Sequence, residues 1–239
     1  MWKKHIKAKF TKGIDSLLDF IYPRFCTCCH ERLSIHENIL CAKCLLNLPR
    51  YRFRSLEENE ITQLFWGLVP IQRGLSLFYY TRLSDYSRIL ASLKYANRPE
   101  IGEHMGRIMA EEFQRHGFFQ GIDIIIPIPL TKKKEKQRGY NQSEWIAKGI
   151  AAITHIDVNT NCVVRKKSTA SQTSLTAHER IESVRGDLEV VRPNDIIGKH
   201  ILLVDDVLTT GATLLSCAET IAQYPQIKIS IATLARTHL

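Results

Sequence analysis

The sequence has no long hydrophobic run, and this absence excludes a membrane-spanning helix. Its longest mainly apolar stretch, residues 122–130, contains Asp123 and two prolines, whereas a spanning helix needs about 20 apolar residues. Five lysines among the first 12 residues mimic the charged start of a signal peptide. However, Asp15 and Asp19 interrupt the next segment, and no small-residue cleavage site appears. We therefore expect a cytoplasmic protein that is not an integral membrane protein.

The chain also lacks internal repeats, low-complexity tracts and the nucleotide-binding motif G-x-x-x-x-G-K-[ST]. Its 239 residues, 44% of them hydrophobic, suffice for a full α/β core and a small extra module. The net charge is +9, and the excess is concentrated in residues 1–12 and 131–140. This concentration indicates an anionic ligand or partner.

The spacing of the cysteines indicates a metal site. Two pairs form a C-x₂-C-x₁₁-C-x₂-C array: Cys26, Cys29, Cys41 and Cys44. Such an array supplies four thiolates in tetrahedral geometry, which is typical of a closed, structural Zn²⁺ site. We expect the surrounding segment to need the metal to fold, because it is short and polar.

Three other residues near this array are conceivable ligands. Cys28 is a surplus thiol within the first pair, and His30 and His36 come shortly after it. We favour the four cysteines above, because their two pairs then have the same spacing. Cys162 and Cys217 lie in a predicted strand and helix, where a buried, inert cysteine is the ordinary expectation.

Strands and amphipathic helices alternate from residue 75 onward. Residues 75–80 are a strand candidate, and two helical segments come next, the second opened by Pro99. The apolar run at 122–128 is typical of a parallel strand covered on both faces. Further strand candidates are residues 161–165, 200–204 and 228–234. The alternation predicts an α/β fold with a mostly parallel sheet flanked by helices.

We divide the chain into three parts. Residues 1–24 are an amphipathic helix that packs on the protein, with contact to a membrane surface or nucleic acid as the alternative. Residues 25–60 comprise the four-cysteine zinc module and a charged linker, residues 50–60, that runs over the surface. Residues 61–239 form the α/β domain.

The most informative segment is residues 201–213, Ile-Leu-Leu-Val-Asp-Asp-Val-Leu-Thr-Thr-Gly-Ala-Thr. It predicts a buried strand, two carboxylates at the carboxyl end of that strand, and a loop that opens a helix. Ligands bind at this edge of open α/β sheets, where the N–H groups at a helix start can hold a phosphate. The loop threonines add hydroxyl donors, and Gly211 lets the backbone approach closely.

The two carboxylates identify the rest of the ligand. Asp205 and Asp206 would repel a phosphate, so we expect them to bind sugar hydroxyls, directly or through a metal. The segment therefore predicts a ribose 5-phosphate site. The alternative is a core strand and a capped helix that carry two aspartates without a ligand.

A strongly basic loop, residues 131–141, comes after the strand at 122–128 and precedes a helix that Asn141 caps. A pyrophosphate would be well held there. A run of lysines alone is typical of a solvated turn, whereas beside the carboxylates it would concentrate anionic ligands. Both interpretations stay open.

Residues 201–213 resemble the signature of type I phosphoribosyltransferases that binds phosphoribosyl pyrophosphate (PRPP). The resemblance implies that the acidic pair holds the ribose hydroxyls, with Mg²⁺ accompanying PRPP, and that the loop wraps the 5-phosphate. The implied PRPP-binding residues are Asp205, Asp206, Thr209, Thr210, Gly211, Ala212 and Thr213. It also implies that Arg138, Gly139 and Tyr140 bind the pyrophosphate, and that residues 169–180 form a mobile loop over PRPP.

From Cys26 to Arg236 the chain resembles the ComF/GntX-like competence proteins. The shared elements are Leu93-Lys-Tyr95, Pro127-Ile-Pro129, Arg138-Gly-Tyr-Asn-Gln142, Thr169-x-x-Gln172, Leu175, Arg180 and Leu234-Ala-Arg236, with Ser183 departing from an asparagine in the family. The resemblance implies a type I phosphoribosyltransferase-like fold and a role in natural transformation. Incoming single-stranded DNA and other DNA-uptake proteins would be the partners.

Catalysis is not assured by this resemblance. Purine-salvage members carry an acidic general base at the position of Thr209, and a hydroxyl cannot replace it at neutral pH, although other members have Ala or Thr there. Only 26 residues come after Thr213, which leaves little room for a segment that grips an acceptor base.

The sequence supports two hypotheses about function. In the first, a PRPP-binding protein of DNA uptake contacts single-stranded DNA through Lys132, Lys133, Lys134 and Lys136. In the alternative, an active transferase joins ribose 5-phosphate to a nucleobase or amine.

Overall fold

A four-stranded sheet, parallel throughout and ordered β1-β6-β5-β2, forms the centre of the protein. The computed structural model describes residues 23–166 and 187–237. The predicted helix at residues 1–24 lies almost entirely outside them, as does the whole loop at 169–180. The strands are β1 (Ile71–Tyr80), β2 (Ile124–Pro127), β3 (Val163–Arg165), β4 (Leu188–Val190), β5 (His200–Leu208) and β6 (Lys228–Thr237).

The predicted parallel sheet is confirmed. Its strands are apolar because they are covered on both faces. Residues 201–204 of β5 are fully buried, as are most residues of β6. One predicted strand lies elsewhere: β3 pairs with β4 in a separate antiparallel hairpin. The chain leaves the sheet before β3, since Val158 has already formed a parallel bridge to Ile125 beside β2.

Seven helices are found among the described residues. They are α1 (Ala42–Leu46), α2 (Glu60–Gln63), α3 (Ser87–Tyr95), α4 (Glu100–Gln114), α5 (Lys132–Arg138), α6 (Gln142–Thr154) and α7 (Ala212–Ala222). Pro99 precedes α4, and the Asn141 side chain caps α6 by accepting from the Ser143 N–H, both as predicted.

Helices α4 and α6 touch through their backbones. A Cβ added to Gly106 would collide with the carbonyl oxygen of Ile146, and one added to Gly149 would collide with that of Glu103. Two glycines therefore allow a contact that no other residue would permit. This contact fixes the direction of α6, whose amino end lies beside the candidate site.

The basic segment at 131–141, expected as a loop, is mostly the helix α5. The Thr131 hydroxyl caps α5 by accepting from the Lys134 N–H, and Gly139 ends it with φ of +80°. The reason is the composition of the segment: Lys, Glu, Gln and Arg all have high helix propensity. None of the residues of α5 is buried, so this helix needs no apolar face.

The segment at 50–60, expected to run over the surface, is partly buried against the sheet. The Tyr51 N–H donates to the Leu77 carbonyl, and the Tyr79 N–H donates to the Pro49 carbonyl. Strand β1 is an edge strand, so its second side offers unpaired backbone groups that this segment satisfies. Tyr51 is buried as a result. The division of the chain into three parts stays a prediction.

Candidate functional site

The four cysteines of the predicted array lie together. One ligand atom from each of Cys26, Cys29, Cys41 and Cys44 lies within 4.8 Å of the others. The Cys29 and Cys41 sulfurs are 3.7 Å apart. A tetrahedral Zn²⁺ with Zn–S bonds of about 2.3 Å would hold its sulfurs about 3.8 Å apart. This cluster could hold a metal ion, and its spacing fits zinc.

Backbone groups single out Cys26 among these thiols, whereas burial raises the pKa of Cys44. Burial works to raise the pKa of Cys26, but N–H groups of Cys29, Cys41 and Cys28 outweigh it and lower the pKa to about 7. Burial raises the pKa of Cys28 to about 11, and Cys28 lies outside the cluster. The two histidines considered as substitutes, His30 and His36, are exposed and also outside it.

The acidic pair lies where strand β5 continues beyond its neighbour β2. Strand β2 pairs with β5 only as far as Val204, whereas β6 pairs with β5 as far as Leu208. The carboxylates of Asp205 and Asp206 therefore belong to the last part of β5, rather than to the loop after it. One side of β5 is open there, and the amino end of α6 and the carboxyl end of α3 face it.

Each carboxylate has a different partner. Asp205 accepts from the Ser143 hydroxyl at 2.9 Å and from the Asp206 N–H at 2.8 Å. Asp206 is buried and forms an ion pair with Lys94 of α3, with 3.2 Å between Nζ and Oδ2. Burial, and next the charge of Asp206, raise the pKa of Asp205 to about 7. The pair therefore carries less than two negative charges at neutral pH.

Cations outnumber these carboxylates. Burial lowers the pKa of Lys134, and the neighbouring charges of Arg138 and Arg165 lower it further, against the influence of Asp206. Arg138 lies over the Tyr95 ring at 5.8 Å and donates to Gln142 Oε1 at 2.8 Å. This surplus of positive charge at a sheet edge suits an anion larger than a single carboxylate.

A buried donor points to the same conclusion. The Gln142 side chain is buried, and its Nε2 group has no hydrogen-bond partner among the described residues. An unpaired buried amide costs free energy, which an oxygen atom of a ligand would recover. Gln142 begins α6, and its Oε1 accepts from Arg138, so this free donor lies beside one of the cations of the site.

The ring of Phe65 packs against the loop after β5. Gly211 has φ of +77° and is the N-cap residue of α7. A Cβ at this position would lie 3.4 Å from Cζ of the buried Phe65. Because Gly211 has no side chain, no hydroxyl or carboxylate at the N-cap occupies the first N–H groups of α7. Thr209 and Thr210 are exposed, while Ala212 and Thr213 form the half-buried first turn.

The predicted pyrophosphate residues have separate roles in this structure. Arg138 belongs to the group of cations described above, and Gly139 ends α5. Tyr140 donates its hydroxyl to the Leu93 carbonyl and so ties the end of α5 to α3. The four lysines predicted to contact DNA all have exposed side chains on the surface of α5: Lys132, Lys133, Lys134 and Lys136.

Sequence reasoning missed several residues of the site: Lys94, Gln142, Ser143 and Arg165. The sequence marks Lys94 only as part of a motif, and Ser143 only as a neighbour of a helix cap. No local pattern reveals their role, because each reaches the acidic pair through strand order and helix packing. In the structure, Lys94 lies between Leu93, which is buried, and Tyr95, which is exposed.

The comparisons with known proteins agree with the fold. The model of the phosphoribosyl transferase domain matches residues 93–238, and the chain belongs to this family. DNA utilization protein YhgH of Shigella flexneri is 26% identical over 207 residues, which cover 85% of this chain and 81% of that protein. Competence protein F of Haemophilus influenzae is 27% identical over 227 residues, covering 88% and 96%. The resemblance to the competence family is thereby confirmed.

Among solved structures, a hypoxanthine phosphoribosyltransferase from Staphylococcus aureus is similar to the chain, with 19% identity and a TM-score of 0.34. The match covers 56% of this chain and 64% of that one. None of the helices formed by the described residues is both long enough and apolar enough to cross a membrane.

Proposed function

We propose that this protein serves DNA uptake on the cytoplasmic side of the membrane, as a protein that binds PRPP with Mg²⁺ and contacts single-stranded DNA. One observation carries the PRPP part: an acidic pair, a buried unpaired amide and several cations meet at the open edge of β5. The ribose hydroxyls of PRPP would bind Asp205 and Asp206. The 5-phosphate would lie at residues 209–213, and the pyrophosphate would lie beside Arg138 and Gln142.

The metal sites have separate roles in this proposal. Zn²⁺ at the four cysteines is structural, since thiolates fill all four positions of a tetrahedral ion and leave none open for chemistry. Mg²⁺ would enter with PRPP, where carboxylate and phosphate oxygens are the ligands it prefers.

The DNA part rests on charge and on the relatives. Helix α5 exposes four lysines near the acidic pair, and the chain carries a net charge of +9. Curated relatives are named for DNA utilization and competence. Exposed lysines would contact phosphates without reading the base sequence, so we expect little sequence preference.

A salt titration tests the DNA contact. The variant K132Q/K133Q/K136Q should bind a single-stranded oligonucleotide more weakly than wild type. Its plot of log affinity against log salt should be flatter by up to about 2, since each lost phosphate contact removes about 0.7. Lys228→Gln is the control, because Lys228 is an exposed residue at the amino end of β6. The acidic pair lies at the opposite, carboxyl end of the parallel strands. Equal slopes for all three proteins would refute the assignment of α5.

A second function, phosphoribosyl transfer, is favoured by a cavity of about 320 Å³. The residues that line it include Tyr51, Phe53, Asn59, Glu60 and Gln63. Glu60 pairs with Arg236 at the carboxyl end of β6, so the cavity lies at the same edge of the sheet as the acidic pair. It offers space for an acceptor.

Pyrophosphate release separates the two functions. Wild type is incubated with PRPP, Mg²⁺ and a panel of nucleobases and amines, and a DNA titration at low salt is made on the same preparation. We expect PRPP binding without turnover, together with DNA binding. Turnover with one acceptor and no DNA binding would establish the transferase instead.

A further inference from the structure

The ion pair between Lys94 and Asp206 has a second consequence, which rests on the proposed function. The two side chains are only 19% and 10% exposed, so each charge has lost much of its water. Removing either partner would leave the other charge unpaired in a poorly hydrated place. Any ligand that binds Asp206 must therefore compensate Lys94 as well.

We infer that Lys94 is a pyrophosphate-binding residue that serves as the counterion of Asp206 until PRPP arrives. When PRPP binds, ribose hydroxyls and Mg²⁺ take the carboxylate of Asp206. The Lys94 ammonium then donates to the pyrophosphate. The two charges of the ion pair thus exchange partners, and neither is left unpaired.

The surroundings of Lys94 support this exchange. Lys94, Arg138 and Arg165 all act electrostatically on Lys134, and Asp206 opposes them. Arg165 has a carboxylate partner of its own in the hairpin, at 3.8 Å, but Lys134 and Arg138 take no part in the ion pair of Lys94. A pyrophosphate would neutralise this excess of positive charge, whereas a ribose 5-phosphate, with its phosphate in the loop after β5, would not.

The length of the side chain permits the movement. A lysine has four rotatable methylene groups, so its ammonium can move by several ångströms without any change in the backbone. The backbone just before Lys94 is meanwhile held in place: Leu93 is fully buried, and its carbonyl accepts from Tyr140. Tyr140 itself belongs to the predicted pyrophosphate element.

Binding measurements on Lys94→Met, Lys94→Arg and wild type test this inference. The ligands are Mg²⁺ with PRPP, with inorganic pyrophosphate and with ribose 5-phosphate, each measured by calorimetry. We expect Lys94→Met to lose about tenfold or more in affinity for PRPP and for pyrophosphate, and little for ribose 5-phosphate. Mg²⁺ alone should bind Lys94→Met more tightly than wild type, because its carboxylate is free. Lys94→Arg keeps the charge and should recover most of the pyrophosphate affinity.

Lys228→Met is the matched control, since this exposed lysine at the amino end of β6 is remote from the acidic pair, and it should bind as wild type does. Equal affinities of Lys94→Met and wild type for pyrophosphate would overturn the inference while leaving PRPP binding established. An equal loss for all three ligands would also overturn it, because Lys94 would then act only by holding Asp206. If wild type binds neither PRPP nor pyrophosphate, the proposed function fails together with this inference. Thermal unfolding of each variant checks that the fold is intact.

Discussion

The cysteine cluster and the acidic pair are two polar groupings that the fold stabilises in opposite ways. Four thiols of one kind meet within 4.8 Å at the cysteine cluster. Aspartates and cations of opposite charge meet at the edge of β5, with 3.2 Å between Lys94 and Asp206. The acidic pair thus already has a cation supplied by the protein.

This difference sets what each grouping needs. Thiolates placed this closely repel one another, so we expect the four-cysteine segment to require a metal ion to fold. The acidic pair is neutralised within the protein, so its surroundings fold without a ligand. A ligand at the acidic pair then has to compete with an existing ion pair, which favours a ligand that carries both positive and negative groups, such as Mg²⁺ with PRPP.

Helix α3 connects the two groupings. Near its amino end, Arg88 donates to the Cys28 carbonyl at 2.7 Å, and the Tyr86 hydroxyl just before the helix donates to the Cys44 carbonyl at 3.2 Å. Near its carboxyl end, Lys94 reaches Asp206. The cysteine segment therefore packs on the helix that supplies a cation to the acidic pair.

The largest effect should come from breaking the cysteine cluster. Cys44→Ser removes one of four thiolates, and structural zinc contributes about 10–16 kcal/mol of apparent binding free energy. We expect less than one Zn²⁺ per chain by elemental analysis and a much lower melting temperature. Cys28→Ser is the control, since Cys28 is buried beside the cluster without belonging to it. A greater zinc loss from Cys28→Ser than from Cys44→Ser would show that the ligand set is wrong.

Breaking the acidic pair should weaken the binding of the ligand and leave the fold intact. Asp205→Asn removes a charged acceptor, so PRPP affinity measured by calorimetry should fall by about tenfold or more. The melting temperature should stay the same or rise, because burial and the neighbouring charge of Asp206 make the Asp205 carboxylate costly in the free protein. A variant that unfolds as Cys44→Ser does would contradict the contrast between the two groupings.

The pH dependence should sharpen the same contrast. The pKa of Asp205 is raised to about 7, so the stability that comes from its protonation is present at low pH and is lost as the pH rises through about 7. We expect PRPP binding to need the charged form of Asp205. The affinity for PRPP should therefore fall by up to about tenfold for each pH unit below 7 and level off above it. In Asp205→Asn the profile should be flatter, and an unchanged profile would assign the titration to another group.

The sequence was enough to predict the parallel sheet, the cysteine cluster and the acidic pair, because each arises from a local pattern. Apolar runs mark β2 and β5, and cysteine spacing marks the metal site. The partners of the acidic pair were not predictable. Lys94 and Ser143 reach it only because α3 and α6 flank the end of β5 that β2 does not cover. The helical state of residues 132–138 was missed because the charge of the segment outweighed its helix propensity in the prediction.

The smallest effect should come from loosening α3 without touching either grouping. Arg88→Met removes one hydrogen bond to the Cys28 carbonyl, worth about 1 kcal/mol. It also removes an exposed ion pair with Asp85, which contributes little. Because α3 also carries Lys94, the variant should lose PRPP affinity by at most about fivefold, which corresponds to about 1 kcal/mol. Arg107→Met is the control, since Arg107 forms an exposed ion pair within α4. Hydrogen exchange should show faster opening of α3 in Arg88→Met and not in the control. If zinc removal and Arg88→Met both left PRPP affinity unchanged, the two groupings would be independent, and α3 would serve only as a support for the cysteine segment.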